Sequence, residues 1–220
     1  MTNVNLKDYK NISKDIRKHI VKMHAKSDSS HLGSALSCVD ILTALHWELM
    51  DVDPKNPNKP NRDYFILSKG HSALGYFVTL ARRGFFAMEF LDDFCEPGSP
   101  LEEHPSPKCA PGVELGTGSL GHGLPIGLGI AQGLKLKGMK QNVFVLMSDG
   151  ECNEGSVWEA AMFASRHKLN NLVAIIDKND LCSTDFIKDC VMMEPLNKKW
   201  LAFGWDVSVI NGHSFKEIMY

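Results

Sequence analysis

Two oxygen donors stand where two apolar runs stop. Val143-Phe-Val-Leu-Met-Ser148 ends at Asp149-Gly150, and Leu172-Val-Ala-Ile-Ile-Asp177 is followed by Lys178-Asn179. Each run reads as a short buried strand, and the residues between them, near 155–167, read as a helix, so the strands are expected to be parallel. Neighbouring strands lie about 4.8 Å apart, close enough for a carboxylate and an amide oxygen at their tips to share one cation. In open parallel sheets, ligands bind at those carboxyl ends. An oxygen donor set suits Mg²⁺ or Ca²⁺, and Mg²⁺ in particular is commonly completed by the phosphates of a bound ligand. The pair therefore points to a metal–diphosphate site.

Three histidines sit in turn-like surroundings: Ser30-His31-Leu-Gly33, Ser68-Lys-Gly70-His71-Ser, and Glu103-His104-Pro105. Near pH 7 an imidazole can accept and return protons. Gly116 to Gly133 carries seven glycines interspersed with Leu120, Leu124, Ile126, Leu128 and Ile130. That mixture is unlike a flexible linker and predicts close backbone packing, first against a ligand and then against another helix.

Taken in order, these motifs resemble the amino-terminal half of transketolase, from about residue 10 to residue 213. The resemblance implies thiamine diphosphate as cofactor, with Asp149, Asn179 and the backbone carbonyl of Leu181 as ligands of Mg²⁺, a site that Ca²⁺ or Mn²⁺ could also fill. It implies that the Gly150 amide and His71 meet the diphosphate, that Gly118, Ser119 and Leu120 lie along the aminopyrimidine ring, and that His31 and His104 face the reacting carbon and the sugar hydroxyls. Glu154 would reach across a subunit interface in a proton-sharing link between active sites. Two departures stand out: Ser148 replaces the family's first glycine and His122 its usual glutamine. The implied reaction is transfer of a two-carbon ketol unit between sugars or sugar phosphates.

The elements that must position these groups follow from periodicity. Leu6, Tyr9, Ile12, Ile16, Ile20 and Met23 form one apolar stripe on a helix. Residues 34–50 are apolar on most sides and read as a buried helix. Strands are expected near 64–67, 142–147, 172–177 and 206–210, with helices after Gly70-His71, near 155–167 and near 194–203. Alternating strands and helices predict an α/β fold, a doubly wound and mostly parallel sheet flanked by helices. The length of 220 residues predicts one domain or one large lobe, and the resemblance implies that residues 1–220 are a single diphosphate-binding domain without a pyrimidine-binding domain.

Net charge is −2, which argues against a broad nucleic-acid or anionic-membrane surface. No apolar run is long enough to span a membrane, and the amino terminus lacks a signal-peptide pattern. The six cysteines show neither a Cys-x-x-Cys pair nor zinc spacing, so reduced thiols in a cytoplasmic protein are expected.

In the family, the glutamate that activates the aminopyrimidine belongs to the pyrimidine-binding domain. The resemblance therefore implies a partner chain, a carboxy-terminal transketolase subunit, in an α2β2 assembly. It also implies that the carboxy-terminal end of the domain is lacking, leaving a helix from Ser214 that cannot bury its face and one sheet edge short. Two other readings remain open: the alpha-type half of another thiamine diphosphate enzyme (a 2-oxo acid dehydrogenase or a deoxyxylulose-phosphate synthase relative), and a non-catalytic paralogue that keeps the fold.

Overall fold

A computed structural model describes residues 6–27, 29–182 and 185–219. In chain order the elements are α1 (Leu6–Ser27), α2 (Leu32–Ser37), α3 (Val39–Ala44), β1 (Tyr64–Leu67), α4 (Ala73–Arg83), α5 (Gly123–Leu136), β2 (Val143–Ser148), α6 (Gly155–Arg166), β3 (Leu172–Asp177), α7 (Ile187–Cys190), α8 (Leu196–Ala202) and α9 (Phe215–Ile218). They form two compact units. One is helical and comprises residues up to 62, 70–118 and from 210 onward; the other comprises 63–69 and 119–209.

In the helical unit, α1 buries Tyr9, Ser13, Ile16, Ile20 and Met23, the face that its three- and four-residue spacing dictates. This face packs on α3 and α4. The buried stretch expected over 34–50 is broken into α2, α3 and a π-helical turn, Leu45–Leu49, closed by the Met50 amide on the Leu45 carbonyl at 2.9 Å.

His46, on that turn, is 2% exposed, with Nδ1 2.9 Å from the Leu42 carbonyl and its ring against Tyr76 and Phe85. Burial pushes this imidazole down to about 4. The folded chain therefore keeps His46 neutral where the unfolded chain has already taken up a proton. Its contribution is complete above the unfolded value of about 6.5 and is lost as pH falls toward 4, about 3 kcal/mol in all. Carboxyl groups raised by burial, such as Glu114, act in the opposite sense over part of this window, so the comparison of variants is the useful one. Urea unfolding between about pH 7 and about pH 4.5 should show a shallower acid loss in His46→Gln than in the parent chain.

The terminal helix departs from expectation. Phe215 of α9 is 3% exposed and packs with Tyr9 and Ala44, flanked by Trp47, Ile218 and Met219. Asp40 strengthens this closure. It accepts both arms of the Arg17 guanidinium at 2.9 and 2.6 Å and lies 2.8 Å from His213 Nδ1. Burial works against the charge on Asp40, but the Arg17 and His213 hydrogen bonds outweigh it and hold the carboxyl below its usual range.

In the second unit, β1, β2 and β3 form a parallel sheet in that order, with Tyr64 opposite Val143, Val143 opposite Leu172 and Ser148 opposite Asp177. β2 is buried throughout, as a central parallel strand must be. α5 lies on β2 and against α6, and the approach depends on glycine: a Cβ at Gly127 would come 2.6 Å from Val145 Cγ2. The strand expected near 206–210 does not form. The segment pairs with no strand among the described residues, and Val209 is 77% exposed.

The glycines of α5 make a paired test. A Cβ at Gly123 would fall far inside contact distance of Ser68 Oγ and 2.9 Å from Ser68 Cα, whereas one at Gly129 meets nothing within 4 Å. Gly123→Ala should cost about 3 kcal/mol through overpacking, and Gly129→Ala should stabilise the chain by roughly 1 kcal/mol through helix propensity. Thermal unfolding of the two variants reads both signs.

Candidate functional site

At the carboxyl end of β2, Asp149 is 2% exposed. Its Oδ1 accepts the Gly150 amide at 3.0 Å, and its Oδ2 accepts the amides of Asn179 and Asp180 at 3.1 and 2.8 Å. The sheet register makes this meeting, because Ser148 and Asp177 are direct partners. The chain then turns at Asp180, which has a left-handed φ of 61°. Asn179 Oδ1 accepts the Leu181 amide at 3.0 Å. Burial pushes the Asp149 carboxyl above its ordinary range, and the three amides oppose that shift. Asp149, Gly150, Asn179 and Leu181 are thus brought together.

This loop rests on two buried polar clusters that the motifs alone did not single out. Glu151, with no exposed surface, accepts hydrogen bonds from the Ser68 hydroxyl, from the Gly121 amide at 2.9 Å and from the Ser148 amide at 3.3 Å. Ser68 Oγ in turn accepts the Gly123 amide at 3.1 Å. One carboxylate therefore ties the tips of β1 and β2 to the start of α5. Lys69 is fully buried, and its Nζ lies 2.5 Å from Asp177 Oδ2, joining the tips of β1 and β3. The signal for this pair is present in the sequence: an ammonium two residues past the end of one apolar strand and a carboxylate closing another.

Ser119 and Leu120 precede α5 at the surface side of this unit, Ser119 exposed and Leu120 half-buried. Glu154 is exposed just before α6 and caps no amide with its side chain. It lies against Gly121, where a Cβ would come 2.5 Å from its own. His122 is exposed before α5 and makes no side-chain cap.

The helical unit gathers the three histidines. The His31 ring lies 5.5 Å from that of His71 and 5.6 Å from that of His104. His31 has a left-handed φ of 66°. Just before it, the Ser30 amide and hydroxyl both donate to Glu103 Oε1, and the Ser30 amide chiefly holds that carboxyl below its usual range. Gly118 completes the group: its φ is 142°, and a Cβ there would come 2.9 Å from the His104 ring. A Cβ at Gly70 would come 2.6 Å from the Gly118 nitrogen. Glycine at 70 and 118 is thus a steric requirement of the histidine cluster.

Comparison with known proteins fits this geometry. Residues 9–220 match the family model described as transketolase, thiamine diphosphate binding domain. The chain belongs to the transketolase family. It corresponds to the amino-terminal, thiamine diphosphate-binding part of those enzymes. It is 44% identical over 208 residues to an apulose-4-phosphate transketolase subunit of Actinobacillus succinogenes, covering 94% of this chain and 75% of that one. It is 38% identical to the 6-deoxy-6-sulfo-D-fructose transketolase subunit SqwG of a Clostridium species, covering 93% and 74%. Among solved structures, transketolase from Campylobacter jejuni superposes with a TM-score of 0.92 at 30% identity, over 98% of this chain and 35% of that one. The chain thus spans about a third of a full-length transketolase.

Proposed function

We propose that this chain is the cofactor-binding subunit of a two-chain transketolase, acting with a pyrimidine-binding carboxy-terminal subunit in an α2β2 assembly in the cytoplasm. The observation that carries this reading is the state of Asp149. Its carboxylate is buried and already accepts three amides, leaving about one lone-pair direction for a cation. Asn179 and the Leu181 carbonyl are the neutral oxygens beside it. In this reading the remaining positions of the ion are filled by ligand oxygens, as those of Mg²⁺ are by a diphosphate; Ca²⁺ and Mn²⁺ fit the same donors.

Thiamine diphosphate, when bound, supplies the nucleophilic carbon and the electron sink for ketol transfer. In this reading Asp149, Asn179 and Leu181 hold the ion, Gly150 gives its amide to the diphosphate, and His71 stands beside it. Gly118, Ser119 and Leu120 line the aminopyrimidine. His31 and His104 exchange protons with the carbonyl and hydroxyl oxygens of the sugar. Glu154, exposed just before α6, serves the link to a second active site. The two units are read together as one diphosphate-binding domain. A surface for other subunits is supported by Ile126 of α5 and by Met162 and Phe163 of α6, which are large, apolar and exposed.

Steady-state ketol transfer tests this reading. Activity is expected only when the chain is mixed with its pyrimidine-binding partner, thiamine diphosphate and Mg²⁺. Activity from the chain alone overturns the two-chain reading. Turnover of pyruvate in place of a ketose donor favours the 2-oxo acid alternative.

A further inference from the structure

The loop that carries Leu181 also carries two thiols in contact. Cys182 and Cys190 are eight residues apart in sequence, yet their sulfurs are 3.1 Å apart, about 1 Å beyond the bonded distance of about 2.05 Å. The local fold makes the meeting. Leu181 and Phe186 pair as an antiparallel bridge, the Cys182 amide donates to the Asp185 carbonyl at 2.9 Å, and the Ile187 amide donates to the Asp180 carbonyl at 3.0 Å. The single turn of α7 then brings residue 190 back over residue 182. Cys190 is exposed and Cys182 half-buried, whereas Cys38, Cys109 and Cys152 are buried.

Position gives the contact its meaning. A Cβ at Gly150 would come 3.9 Å from Cys182 Cβ, an ordinary van der Waals distance. Cys182 thus borders Gly150, and Leu181 is its chain neighbour.

We propose that Cys182 and Cys190 are a redox modification site, closing reversibly to a disulfide that stiffens the Asn179–Cys182 loop. The consequence for the cofactor rests on the reading of Asp149, Asn179 and Leu181 as a metal–diphosphate site; the disulfide itself does not. The oxidant is a low-molecular-weight disulfide. The exposed Cys190, as thiolate, attacks one of its sulfurs; that S–S bond breaks and the first small thiol leaves. The Cys182 thiolate then attacks the Cys190 sulfur of the mixed disulfide and expels the second. Two protein thiols are oxidised, one small disulfide is reduced to two thiols, and the two protein protons pass to the leaving thiolates. Uncatalysed exchange of this kind runs over minutes to hours.

The test treats the full chain with oxidised glutathione and follows it by peptide mass mapping and amide hydrogen exchange. The expected product has lost two hydrogens between Cys182 and Cys190 and retains no glutathione. Its amides at 179–182 should exchange roughly tenfold more slowly, reversibly with reductant. Cys190→Ser should show neither change. A glutathione adduct that never resolves, or a closed disulfide without slower exchange, overturns the proposal. Titration of the reduced chain with thiamine diphosphate and Mg²⁺ is read separately. Failure to bind there removes the cofactor reading, while mass and exchange still decide the disulfide.

Discussion

Asp149→Ala is expected to abolish Mg²⁺-dependent binding of thiamine diphosphate, a loss of roughly a hundredfold or more in affinity. Two effects combine. The only carboxylate of the donor set is removed, and the amides of Gly150, Asn179 and Asp180 lose their common acceptor. The 179–181 loop is then no longer held at the strand tip. Asp149→Asn separates the two effects, because it keeps the shape and a carbonyl acceptor while losing the charge. Calorimetric titration of the assembled enzyme measures the affinity, and circular dichroism checks that the fold survives. Parental affinity in either variant would remove Asp149 from the metal site.

Lys69→Met should be the most damaging single change to stability, costing about 3 to 5 kcal/mol. Lys69 Nζ is fully buried against Asp177, and methionine leaves that carboxylate without its ammonium in a dry setting. Because a domain is stable by only about 5–15 kcal/mol in total, much of the chain should unfold at modest urea. The double variant Lys69→Met with Asp177→Leu restores charge balance and should recover most of the loss. Urea midpoints for the parent, single and double variants give the coupling directly. A single variant within about 0.5 kcal/mol of the parent would show that the pair contributes little.

Much of this architecture was legible because it is written locally. The stripe on α1, the apolar runs of β1, β2 and β3, and the Asp149 and Asn179 positions beyond two strand ends all follow from periodicity over a few residues. What was missed depends on distant partners. Asp206-Val-Ser-Val-Ile210 alternates like a strand, but a strand exists only where a neighbour offers a ladder. Here Val209 is left exposed instead. Phe215 finds its place only because Tyr9 and Ala44, near the other end of the sequence, leave one. Nothing in the local sequence marks Glu151; its role shows only once Ser68 and Gly121 are seen to surround it. The histidine cluster lies between these cases. Its members were recognisable by motif, whereas the demand for glycine at 70 and 118 shows only when a Cβ is built there.

The sheet register also fixes an order of assembly. β2 and β3 belong to one strand–helix–strand stretch, whereas β1 joins β2 across a much longer separation: Asp63, which receives the Asn142 amide, is 79 residues away from it. The Lys69–Asp177 pair closes a separation of 108 residues. Long loops are the slow ones to close, so a nascent chain should pair β2 with β3 first and admit β1 last. The buried ammonium then works as a latch set after the transition state. Its loss should accelerate unfolding and leave the refolding rate nearly unchanged, a signature visible in the two arms of a chevron plot.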